Sequence, residues 1–128
     1  MPAPGSYFYS AAALVAAQTA LLGEIDADAA AGKLKLYSEA DVLLATITLS
    51  DPAGTVDGAG QLTITAPAAA TAVATDTCTY GTVTDGADTV ILTAPVSQGA
   101  SAVSGQIVLS NTAIVTGADV TLVSFTIG

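Results

Sequence analysis

At 128 residues the chain has room for one hydrophobic core but not for two. Eleven acids stand against two bases, a net charge of −9, which excludes the clustered Lys and Arg that nucleic-acid binding requires. One cysteine excludes an intrachain disulfide, and a sequence without His leaves that cysteine no histidine base to activate it as a nucleophile.

The first six residues hold Pro2, Pro4 and Gly5, which favour an irregular, extended run. Tyr7, Phe8 and Tyr9 follow, three of the chain's six aromatics in consecutive positions. They are the candidate partner-binding residues. Two readings stand for them: the arm 1–9 folds back as a lid on its own core, or it reaches onto a neighbouring subunit, where each buried ring contributes roughly 1.5–3 kcal/mol.

A helix is predicted over 10–25. Leu14, Leu21, Leu22 and Ile25 recur at i, i+7, i+8 and i+11, with Ala17 and Gln18 filling the middle turn, so the apolar residues form one helical stripe. Ser10 is the expected N-cap, with Tyr9 placed to staple onto Leu14. Glu24, Asp26 and Asp28 oppose the negative end of the helix dipole, so the helix should stop near Ile25. Residues 1–23 carry no charged side chain, and the apolar run inside them falls short of the ~20 residues needed to span a bilayer. Neither a secretory signal nor a membrane span is read here.

From there on the pattern is β. Residues 33–37 alternate, with Leu34 and Leu36 on one face. In 42–49, Leu43, Ala45, Ile47 and Leu49 share one face, and Leu44, Thr46 and Thr48 the other. The Gly-rich stretch 54–60 reads as a mobile turn, and Leu62, Ile64 and Ala66 form a third strand closed by Pro67. Two short strands are expected in 68–83, including 77–83, where Cys78 alternates with Tyr80 as a buried thiol. Another strand spans 89–93 and is closed by Pro95; 106–109 follows. Residues 112–116 and 120–127 are expected to pair as a hairpin about Gly117, Ala118 and Asp119, with Val123, Phe125 and Ile127 facing inward. Thr65-Ala66-Pro67 echoes Thr93-Ala94-Pro95, and Gly86-Ala87-Asp88 echoes Gly117-Ala118-Asp119; these read as recurrent turn chemistry. The resulting expectation is a mainly β fold, a β-sandwich or jelly roll of about eight strands with an N-terminal arm and one short amphipathic helix. It comprises an arm (1–9) and a single domain (10–128).

The acidic pairs weighed as candidate sites are Asp26 with Asp28, Asp51 with Asp57, and Asp85 with Asp88. None has the spacing of a calcium loop, zinc would need several Cys and His, and glycoside hydrolysis would add aromatic platforms to two carboxylates. They read as turn residues bonding their own backbone. No metal site, cofactor or catalytic residue is expected, and the chain is read as a non-enzyme.

The segments Ile25-Asp26-Ala27, Gly32-Lys33-Leu34-Lys35-Leu36-Tyr37-Ser38, Leu43-Leu44-Ala45-Thr46-Ile47-Thr48-Leu49-Ser50-Asp51-Pro52 and Val120-Thr121-Leu122-Val123-Ser124-Phe125-Thr126-Ile127 resemble a family of small tailed-phage virion proteins, similar to capsid decoration or cement proteins. The chain departs from the family pattern in its short 38–41 loop and in carrying Cys78 and Tyr80 mid-chain, where members often have a tryptophan and an arginine. The resemblance implies a β-sandwich or jelly-roll module on the capsid exterior, made in the host cytoplasm. It would be a homotrimer whose partner is the major capsid protein, with no nucleic acid and no membrane involved. A tail or collar component is the close variant. A carbohydrate- or cell-surface-binding adhesion module is the alternative of a different class, and it would need Tyr37 or Tyr80 as an exposed platform.

Overall fold

The computed structural model describes residues 10–27, 30–50, 52–66, 69–101 and 105–127. Ser10, with extended backbone, accepts a hydrogen bond at Oγ from the Ala13 amide at 3.1 Å and starts the helix α1, Ala11–Ile25. Ile25 and Gln18 are buried, and Leu14, Val15, Leu21 and Leu22 are half-buried, while Ala17 is exposed. The expected stripe is present, with Gln18 alone carrying its middle turn. Alanine is apolar on every side of this helix, so side-chain size, more than polarity, decides which face packs. The helix stops at Asp26, whose amide bonds Leu22 O at 3.0 Å. The Asp26 carboxylate accepts the Ala53 amide at 3.0 Å, fastening the end of α1 to a distant stretch of chain.

Among the described residues eleven strands follow: β1 Lys33–Ser38, β2 Leu43–Thr48, β3 Gly54–Val56, β4 Leu62–Ile64, β5 Ala70–Thr71, β6 Asp76–Thr84, β7 Val90–Gln98, β8 Ile107–Leu109, β9 Ala113–Ile114, β10 Asp119–Val120 and β11 Leu122–Ile127. The main sheet runs β2-β1-β6-β7-β8-β11-β4-β3, with β9 also on β6, and β10 pairs with β5 in a small second ladder. Laid flat, eight strands would be ~34 Å wide. Yet the chain passes from the end of β2 at one margin to β3 at the other in six residue steps, at most ~21 Å. The sheet must therefore curl. The connection from β2 to β3 is fastened beside the end of β4, where the Ser50 amide bonds Thr65 O at 3.0 Å and the two hydroxyls meet at 2.6 Å. The architecture is mainly β, consistent with a β-sandwich with one short helix, in which a continuous sheet curls into a half-barrel. α1 packs on β3, β4 and β7, and Ile25 joins Leu34, Leu36, Ile47, Leu62, Val83, Leu109 and Phe125 in the enclosed core.

Three hairpin turns among the described residues use the same device. In 38–42, 57–61 and 85–89 the first residue's amide bonds the fifth residue's carbonyl at 2.9–3.0 Å, and its side-chain oxygen accepts the fifth residue's amide at 2.9–3.3 Å. The fourth residue takes a left-handed φ: Asp41 at 62°, Gly60 at 86° and Asp88 at 68°. Asp57 and Asp85 therefore serve their own turns, as their sequence setting suggests.

Several strand assignments need correction. Gly54–Val56 is a strand paired with β4, and a Cβ on Gly54 would strike the Thr63 carbonyl oxygen, so this glycine permits close strand contact instead of mobility. In β2 a bulge opposite Leu36 and Tyr37 turns both Leu44 and Ala45 inward, against the strict alternation expected. β7 runs straight through Pro95, which is the last residue paired with β6 before Val96 begins the parallel pairing with β8. At that hand-over a missing N–H costs the ladder little. The C-terminal hairpin does not form: β9 pairs with β6, β10 with β5, and β11 with β8 and β4. A register shift between Leu122 and Ser124 leaves Val123 exposed, while Phe125 is buried and Ile127 half-buried.

Candidate interaction surface

Alternation in β1 buries Leu34 and Leu36 and sends Lys33, Lys35 and Tyr37 to the outer face. The left-handed Asp88 of the β6–β7 turn reaches back over that face, and its Oδ1 lies 3.0 Å from Lys33 Nζ and 3.2 Å from Lys35 Nζ. Hydrogen bonds from Lys33 and then Lys35 hold the Asp88 carboxyl below its usual range. All the basic side chains of the sequence thus converge on one carboxylate.

Tyr37 and Tyr80 stand opposite each other across β1 and β6, their rings stacked at 5.2 Å and 12°. Each ring covers a face of the other. Tyr80 Oη donates to Asp41 Oδ1 at 2.6 Å, and this bond, with some desolvation, pushes the phenol up to about 12. Beside the turn, Glu39, Ala40, Asp76, Thr77 and Thr79 line an open depression of about 530 Å³. Its charged groups are two acids, and among the described residues no group of three or more His, Cys, Asp or Glu is placed to hold a metal ion. Cys78 is buried, and desolvation pushes its thiol up to about 11, so the thiolate is scarce at neutral pH.

A second hollow lies between helix and sheet. Leu21 of α1, Leu92, Thr93 and Ala94 of β7, Phe125 and Ile127 of β11, and Gly105 line an open hollow of about 280 Å³. Its lining carries no charge. Leu21, Leu92 and Ile127 stay half-buried because the short α1 covers only part of the curl. Sequence alone puts Leu21 on the helix stripe and Phe125 and Ile127 on the inward face, since alternation distinguishes inward from outward and not filled from unfilled.

Tyr7, Phe8 and Tyr9 lie outside the described residues, as do Asp28 and Asp51. Tyr37 and Tyr80 are brought together, and Asp85 and Asp88 are divided between two tasks. No helix among the described residues is long and apolar enough to cross a membrane. The chain matches no family model, no curated protein and no solved structure.

Proposed function

We propose that this chain is a structural virion protein, a decoration or cement protein that binds the assembled phage capsid shell from outside and stabilises it. The partner is the major capsid protein, the working form is a homotrimer, and Tyr7, Phe8 and Tyr9 are the anchors onto a neighbouring subunit. The observation that carries this reading is how the described reactive side chains are used. The lysines are bound to Asp88, Cys78 is buried, the Tyr80 phenol is held by Asp41, and Asp26, Asp57 and Asp85 serve backbone amides. Such an arrangement supports a scaffold that binds through shape and apolar contact and performs no chemistry.

Binding only the assembled shell stabilises it by mass action, by ~2.7 kcal/mol when free protein is at a hundred times Kd. Three linked copies engaging several shell subunits add avidity. An adhesion module would need a free aromatic platform, and Tyr37 and Tyr80 spend a face of each ring on one another. The deciding experiment is the copy number of this chain against the major capsid protein in purified virions, by quantitative mass spectrometry. Near one copy per capsid subunit is expected. A few copies per particle would move the protein to the tail or collar, and its absence would end the virion reading. Deleting residues 1–9 should abolish shell binding while the far-UV circular dichroism of the β-domain is retained.

A further inference from the structure

We propose that the apolar crevice between α1 and the sheet is the seat for the aromatic arm of a second copy of this chain, so that the oligomer is held together by exchanged arms. Leu21, Leu92, Phe125 and Ile127 present an uncharged hollow of about 280 Å³. An apolar cavity of ~150 Å³ already accepts benzene, so there is room here for at least one ring. Half of the chain's aromatic residues lie in the arm, which carries no charged side chain.

Chain length argues for a neighbour's arm over the protein's own. Ser10 and Leu21 are separated by ~16 Å along the helix axis. Counted back from Ser10, Tyr9 and Phe8 extend at most ~4 and ~7 Å, leaving gaps longer than an aromatic side chain. Tyr7 closes its gap only if the backbone doubles straight back along α1. A neighbouring copy has no such tether. Two molecules of net −9 repel, so a contact between copies is best made where neither side adds charge, and the arm's side chains and the hollow's lining are both uncharged.

The proposal concerns contacts between copies and does not depend on the shell, so purified full-length protein tests it. Sedimentation velocity should show concentration-dependent self-association, weakened at least about tenfold in the Tyr7→Ser, Phe8→Ser, Tyr9→Ser triple variant. Thr93 is exposed at the crevice and is not part of the buried core. Tyr7→Cys, Phe8→Cys and Tyr9→Cys chains, each mixed with a Thr93→Cys chain and mildly oxidised, should give a mixed disulfide dimer from at least one pairing. Three results would overturn the arm exchange: a monomer at all concentrations, cross-linking confined to one chain in a doubly substituted variant, or no cross-link from any pairing. A monomer that still coats shells would sink this inference alone, whereas an arm-exchanged oligomer that ignores shells would sink the capsid reading alone.

Discussion

Gly54 shows how one missing methyl group can set the geometry of a sheet margin. Its backbone lies so close to the Thr63 carbonyl that any Cβ must push β3 off β4. Gly54→Ala should therefore cost at least about 2 kcal/mol in urea denaturation, although alanine is the better residue in an ordinary loop. Cys78 and Tyr80 make a second residue-scale statement, about pH. Their folded pKa values are raised, from 9.0 to about 11 and from 10.0 to about 12, so the folded state holds both protons longer than the unfolded chain does. The stability tied to these protons is complete below pH 9 and is lost progressively as the pH climbs towards 12. Thermal melts across that range should show alkaline destabilisation. Tyr80→Phe should flatten its upper part and leave the portion that begins near the thiol.

At the scale of elements, α1 is held at both ends by side-chain oxygens and in the middle by one stripe. Ser10→Ala should cost about 1 kcal/mol. Ile25→Ala, at the fully buried end of the stripe, should cost about 2–5 kcal/mol and loosen α1 from the sheet. Chemical denaturation of the two variants checks both figures. These were also the legible elements: the cap, the helix end and the first strand follow from local chemistry, because their signals lie within a few residues of their effects. The β-rich class and the turn roles of Asp57 and Asp85 were legible for the same reason. Pairing partners were not. Residues 112–116 and 120–127 look like the arms of a hairpin about Gly117, yet β9 pairs with β6, β10 with β5, and β11 with β8 and β4. The bulges at Leu44 and Val123 reverse alternation through a partner strand's register, which the strand's own residues do not record. Pro95 misleads similarly, since proline's cost depends on which neighbour would have received its N–H. The crevice is the least legible feature, because it exists through what α1 leaves uncovered.

For the whole molecule, charge and contact oppose each other. Copies of net −9 repel, while the arm and crevice that would join them are uncharged. Self-association should therefore strengthen with added salt, which screens the repulsion and leaves apolar burial in place. Sedimentation at low and high ionic strength checks the sign, and weakening by salt would point to an interface built on ion pairs instead.

Lys33 and Lys35 also decide where a protease can open the chain. Trypsin cuts after lysine and arginine, so this chain offers it those two positions alone. Both lie within β1, which is flanked by β2 and β6, and a protease must draw a strand out into an extended cleft before it can cut there. The sites become accessible only when β1 is released from β2 and β6. The rate of tryptic cleavage therefore reads the opening of the β2-β1-β6 end of the sheet and is blind to motion at the β4-β3 end, while the acids spread through the turns give a glutamate- or aspartate-directed protease a wider view.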